Sequence, residues 1–276
     1  MALWNQFIRG RQGSGKAAPV SGPQRDAALE SAIAMEQVDV LFQPLIAPLS
    51  GRVAGVEALA RSRIAADADA LFARAAAAGL AERLSRLVQR KALRAAAAWE
   101  GPLKGLSVSL NLLPGEIADD GFEHQFIAAM GMAGIDPARV ILEITENALL
   151  VADDGVAGRL ARLREVGVRI AIDDFGTGYA SLAYLISLPL DLIKMDRGLI
   201  TQIVGRSRDR IVVKAMIRLA RELDLKVVVE GVENDGQLAL LADWGCDLYQ
   251  GFFGACALSE AELLRFVSAA PIAKVA

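Results

Sequence analysis

Histidine is almost missing from this chain: His124 is the single one in 276 residues, and it lies in the polar run GFEHQF. Histidine-based zinc sites and a Ser/His/Asp triad have almost nothing to be built from, so any chemistry falls to carboxylates. Cysteine is scarce too. Cys246 and Cys256 stand in DWGCDLYQ and FFGACALS, flanks that suit small apolar core positions better than a disulfide framework, and a reducing, cytoplasmic setting is the expectation. No run reaches the ~18 consecutive apolar residues that a membrane span requires. The apolar patch in MALWNQFIRGRQ is broken by Asn5 and Gln6 and is too brief for a secretory core, so no transmembrane segment is expected. Nor does one sign of charge dominate: 30 Lys and Arg face 33 Asp and Glu, for a net charge of −3. With its basic residues scattered, the chain offers no stripe for a long nucleic acid, and a phosphate ligand should be small and held locally.

What is present is material for one large core, with 54% hydrophobic and 23% charged residues. Gly, Ser and Pro crowd the stretch GRQGSGKAAPVSGP, so residues 1–23 read as a flexible leader and 24–276 as one folded domain. Gly10 to Lys16 matches G-x-x-x-x-G-K, yet Ala17 stands where a P-loop needs Ser or Thr, and no strand precedes it; a linker is the better reading.

Beyond the leader, short runs rich in Val, Ile and Leu recur: LFQPLI, VAGVEAL, LSVSLN, VILEIT, RIAID, DLIKMD, KVVVEG and DLYQGF. Their lack of alternation is that of strands buried on both faces. Only APLSGR separates the first two, too short for a crossover helix, which predicts an antiparallel hairpin. The later runs alternate with Ala/Leu/Arg stretches of helical spacing, the pattern of a (β/α)8 barrel of ~250 residues.

Polar residues fall at the C-terminal ends of those runs. Glu57 follows VAGV, Asn111 follows SVSL, Glu143 follows VIL, Asp173 and Asp174 follow RIAI, Lys194 follows DLI, Glu230 follows KVVV and Gln250 follows DLY. In a parallel barrel these ends converge on the face where active sites are assembled. So many carboxylates at close quarters raise one another's pKa and lose hydration. Lys194 can neutralise one charge; hard divalent cations would relieve the rest. The Asp173–Asp174 pair suits two ions ~3.5 to 4 Å apart, one carboxylate bridging and its neighbour ligating the second. A lone acid at a strand end is more often a helix cap or loop ion pair, but that explanation weakens as the ends accumulate. The residues alone point to metal-assisted hydrolysis, with proton abstraction beside a magnesium-bound carboxylate as the rival reading.

The motifs themselves resemble a known family. Glu57, Ala58 and Leu59 spell EAL within VEALAR, followed in order by NLLP at Asn111, LEITEN at Glu143, IDDFGTGYASL at Asp173, LIKMDR at Lys194, VVVEGVEN at Glu230 and LYQGF at Gln250. The series is similar to that of the EAL domains, cyclic di-GMP phosphodiesterases, and extends from Leu41 to about Ala255. The resemblance implies a modified (β/α)8 TIM-type barrel with an antiparallel first strand, cleaving cyclic di-GMP to linear pGpG. It implies two divalent cations, Mg²⁺ or Mn²⁺, with Ca²⁺ inhibitory. Glu57, Asn111, Glu143 and Asp173 would ligate one ion, and Asp173 would bridge to a second held also by Asp174. Lys194 and Glu230 would position and deprotonate the attacking water, with Gln250 supporting it.

Gln43, Pro44, Leu59, Arg61 and Asp196 correspond to ligand-contacting positions, where Arg61 could fork onto phosphate or stack on guanine. Glu146 and Glu233 look like supporting residues. In the family the former steadies the glycine-rich loop after the paired aspartates, here containing Gly176, Thr177 and Gly178. A homodimer is a further implication. This chain departs from the family pattern at Ala60, Ser62, Leu113 and Ala180, and in FGACALS, where an Arg/Lys-Pro pair is common. None of these removes an expected metal ligand. The alternative is an EAL domain that binds cyclic di-GMP as a receptor or regulatory module without hydrolysing it.

Overall fold

The computed structural model describes residues 25–149, 154–176 and 182–269. The leader with its G-x-x-x-x-G-K match, and Thr177 and Gly178, lie outside the described residues. Eight strands close into a barrel in sequence order: β1 (Asp39–Ile46), β2 (Val53–Arg61), β3 (Ser107–Leu112), β4 (Val140–Thr145), β5 (Arg169–Phe175), β6 (Leu192–Met195), β7 (Lys226–Val229) and β8 (Leu248–Tyr249). Strand β1 runs antiparallel to both neighbours, pairing Gln43 with Glu57 on β2 and Ile46 with Tyr249 on β8, while every other pair is parallel. The chain is thus a modified (β/α)8 barrel whose first strand is reversed, as the short APLSGR connection requires.

The outer layer includes α1 (Ala27–Ala34), α2 (Ala68–Ala77), α3 (Ala81–Ala98), α4 (Pro114–Ile117), α5 (Phe122–Ala133), α6 (Glu146–Leu149), α7 (Asp154–Glu165), α8 (Leu182–Ser187), α9 (Arg197–Ile200), α10 (Ser207–Glu222), α11 (Asp235–Asp243) and α12 (Glu260–Ser268). Several starts are fixed by side-chain caps: Asp26, Asp67 and Asn234 accept from the amides of Leu29, Ala70 and Gln237, satisfying donors that a helix start leaves open. Among the described residues no helix is long and apolar enough to cross a membrane.

The core has three parts, one of them joining α1, α2 and α3 through Leu29, Leu71, Leu84 and Leu87. Outward-facing strand residues such as Val108, Leu142, Ile170, Ile193 and Val227 pack against the helices. Inside the barrel a separate cluster of Leu45, Ile141, Ala171, Leu192 and Val228, with Leu248 against it, forms an apolar plug. Because strand side chains alternate with period two, stepping two residues from Leu45, Ile141, Ala171, Leu192, Val228 and Leu248 reaches Gln43, Glu143, Asp173, Lys194, Glu230 and Gln250. The polar layer therefore rests directly on the apolar one.

Candidate active site

Register places the acids side by side. Asn111 on β3 pairs with Glu143 on β4, and Thr145 at the end of β4 pairs with Asp173 on β5. Asp173 and Asp174 pose a problem, because neighbours on a strand point to opposite faces. The solution is a bulge. Ile172 pairs with Ile193 and Phe175 with Met195, so three steps on β5 match two on β6. Asp174 takes the extra position at φ 56°, a left-handed conformation that costs about 1 kcal/mol and that Asp tolerates better than most residues. Carboxylate oxygens of Asp173, Asp174 and Glu230 consequently lie within 4.8 Å of one another.

Lys194, 1% exposed, stands at the centre. Its Nζ lies 2.7 Å from Glu143, 2.7 Å from Glu230, 3.2 Å from Asp173 and 3.3 Å from Glu57. Glu57 is held further by Asn111 Nδ2, donating to Oε1 at 3.0 Å, and by Gln250 Nε2, donating to Oε2 at 2.9 Å. The same Gln250 amide donates to Gln43 Oε1 at 2.8 Å, so both strands flanking the reversed β1 are tied to the site.

Burial opposes ionisation of every one of these groups, and charge decides the outcome. Glu57 falls below the usual carboxylate range because Lys194, Gln250 and Asn111 together outweigh its burial. Burial, reinforced by neighbouring acids and only partly offset by Lys194, lifts Glu143 well above that range, raises Asp173, and pushes Glu230 up to about 8. Lys194 moves well above its ordinary value despite burial, through Asp173, Glu143, Glu230 and Glu57. The side chain of Glu230 keeps 18% exposure, against 4% for Glu57 and 1% each for Glu143 and Asp173, so Glu230 is the carboxylate that meets the solvent side.

Five buried or half-buried carboxylates, those of Glu57, Glu143, Asp173, Asp174 and Glu230, gather here, and four of them, all but Asp174, meet the single ammonium of Lys194. Two oxygens at the centre, Asp173 Oδ2 and Gln250 Oε1, are buried and accept no hydrogen bond among the described residues. Surplus negative charge, oxygen-only donors and unpartnered buried oxygens suit a hard divalent cation. Asp173, Asp174 and Glu230 are grouped tightly enough to hold one.

Above the acids opens a cleft of about 580 Å³ reached by Gln43, Glu57, Asn111, Glu230 and Gln250. Leu59, Arg61, Asp196 and Glu233 also line it. Arg61 donates to the Ala60 carbonyl at 2.8 Å, and Asp196 caps α9 by accepting from Gly198 at 2.7 Å. Pro44 is not among the lining residues; it is buried opposite Val56 in the hairpin. Glu146 is fully buried and accepts from the amide of Gly176 at 3.3 Å, at the start of the loop after the paired aspartates. Sequence reading passed over Arg197, Phe252, Ser85 and Gln89 on the cleft wall. Phe252, 70% exposed, follows directly on Gln250 and Gly251, and that adjacency was the available signal.

Comparison with known proteins agrees with this geometry. The model of the EAL domain family matches residues 26–256. The cyclic di-GMP phosphodiesterase NbdA of Pseudomonas aeruginosa is 37% identical over 253 residues, covering 89% of this chain and 32% of NbdA. The chain thus spans about a third of the length of such curated relatives. Among solved structures, the PaMucR phosphodiesterase in complex with c-di-GMP superposes with a TM-score of 0.79 at 32% identity, over 85% of this chain and 97% of that one. The manganese/cy-diGMP complex of Klebsiella pneumoniae BlrP1 gives 0.72 at 29% identity, over 85% and 57%.

Proposed function

The chain belongs to the EAL domain family, and from that premise we propose that it hydrolyses cyclic di-GMP to linear pGpG at a carboxylate site holding two divalent cations, Mg²⁺ or Mn²⁺. The observation that carries the reading is the convergence of Asp173, Asp174 and Glu230 oxygens within 4.8 Å beside Glu57, Asn111 and Glu143. That donor set suits the cations: Glu57, Asn111, Glu143 and Asp173 would hold one, and Asp173 and Asp174 would hold the second. Bound there, divalent ions would acidify water and offset charge on the phosphate oxygens.

The chain's own residues account for the remaining steps. Arg61, on the cleft wall, would bind a phosphate of the dinucleotide. Water attacks phosphorus, the bond to the 3′ oxygen breaks, and one proton passes to that oxygen. Glu230 faces the cleft and would take the water's proton, bound cations drawing its burial-raised pKa back toward the ionised form. Lys194 contributes a compact, desolvated positive charge at the same place. Gln250 fixes Glu57 through its amide, leaving its oxygen to the site. The same reading includes inhibition by Ca²⁺, a homodimer and a cytoplasmic setting.

The test is to incubate the purified chain with cyclic di-GMP and Mn²⁺ and to look for pGpG by chromatography. Product that requires the metal supports the proposal. Binding without product sinks it in favour of a receptor, and absence of both binding and product removes the substrate assignment.

A further inference from the structure

Helix α3 turns two polar side chains inward from an otherwise Ala/Leu/Arg sequence: Ser85 and Gln89, four residues apart on one face and 2% and 5% exposed. Opposite them is Glu116 of α4, 2% exposed. Ser85 Oγ donates to Glu116 Oε2 at 2.7 Å, and Glu116 Oε2 accepts from the Leu113 amide at 3.0 Å. Gln89 Nε2 lies 3.0 Å from Ser85 Oγ, 3.3 and 3.4 Å from the Glu116 oxygens and 3.2 Å from the carbonyl oxygen of Asn111. The turn from β3 into α4 is therefore gripped twice, at the Asn111 carbonyl and at the Leu113 amide. Three buried polar side chains stabilise a fold no better than an apolar trio would. What they secure is the placement of Asn111, whose Nδ2 meets Glu57 Oε1 at 3.0 Å.

We propose that Gln89, anchored by Glu116, is a positioning residue that sets how Asn111 presents its side chain to the divalent cation. The inference rests on the cation reading of the site. Partners that orient a ligand without touching the ion typically matter by about tenfold or more in metal affinity. Gln89 reaches Asn111 through the backbone, so the effect passes through strand position and not through the ligand's own amide.

The experiment is calorimetric titration of the intact chain with Mn²⁺, with melting midpoint and steady-state kinetics measured on the same preparations. Gln89→Met keeps volume and removes the donor. Expected are an affinity for Mn²⁺ lower by about tenfold, a parallel fall in kcat, and KM for cyclic di-GMP moved by less than about twofold. Glu116→Gln, whose amide oxygen still accepts from Leu113, serves as the conservative variant and should stay within about twofold of the wild-type affinity. If Gln89→Met does not fold, Gln89→Asn, which draws the amide back by one methylene, is expected to show the same loss. Undiminished Mn²⁺ affinity and kcat in a folded Gln89 variant overturn the inference alone. A wild-type chain that takes up no Mn²⁺ overturns the cation reading and this inference with it.

Discussion

Replacing Lys194 with Met would leave a ring of buried acids without its ammonium, and the damage should depend on pH in a direction the structure fixes. Four carboxylates lie within 3.3 Å of Nζ. Removing one partner of a buried ion pair typically costs about 3–5 kcal/mol, because the remaining charge stays desolvated and uncompensated. The acids can escape part of that cost by taking up protons. Glu143, Asp173 and Glu230 already have raised pKa values with the lysine present, and its loss raises them further. A group whose folded pKa is raised stabilises fully below its unfolded value and loses that contribution as pH climbs through the folded value. Each carboxyl newly protonated in the folded variant tilts stability by about 1.4 kcal/mol per pH unit, so one such group amounts to about 3 kcal/mol between pH 5 and pH 7. Urea denaturation in chelator, comparing Lys194→Met with wild type, should show a deficit of about 3–5 kcal/mol at pH 7 that shrinks by about 3 kcal/mol at pH 5. Added Mn²⁺ should narrow the gap at pH 7. Equal stability at both pH values, or a deficit that grows on acidification, would refute the electrostatic account.

Other perturbations test separate parts of the site. Glu57→Gln preserves volume but removes a charged oxygen from the site, and turnover with Mn²⁺ should drop by at least about a hundredfold with folding retained; wild-type rates would contradict its role as a ligand. Glu116, lifted to about 7 chiefly by burial, gives stability that is complete below its unfolded value near 4.5 and is lost as pH rises through 7. Relative to Glu116→Gln, the wild type should therefore weaken by up to about 3 kcal/mol between pH 4.5 and pH 7, and parallel stability curves would exclude this. At Gly251 (φ 156°) an added Cβ would come within 2.2 Å of the Val232 carbonyl oxygen and 2.4 Å of its nitrogen. The backbone beside Gln250 must shift, so Gly251→Ala should cost more than about 2 kcal/mol in thermal unfolding and depress kcat; an unchanged melting curve would contradict the close approach.

The barrel was readable because its strands are apolar on both faces, so eight Val/Ile/Leu runs stood out and the polar residues at their ends marked the site. The reversal of β1 followed from a connection too short for a helix. Other features depended on information that no local pattern carries. In RIAIDDF the adjacency of Asp173 and Asp174 looked like a ready-made pair, whereas simple alternation would have separated them; the bulge opposite Ile193 and Met195 brings them together. Ser85 and Gln89 were submerged in the helical periodicity of AERLSRLVQRKALRAAAA, and only the tertiary approach of Glu116 shows why polar side chains occupy a buried stripe. Pro44 sits in a strand that pairs on both sides, and its place behind the cleft depended on register that composition does not fix.

The Leu45, Ile141, Ala171, Leu192 and Val228 layer closes the far end of the barrel. Under the proposed function, traffic at this site would be one-way-in, same-way-out: a dinucleotide arriving over Arg61 and Phe252 would meet no rear exit among the described residues. Departing product and incoming substrate would then share a single doorway, and accumulated product would compete with fresh substrate for it.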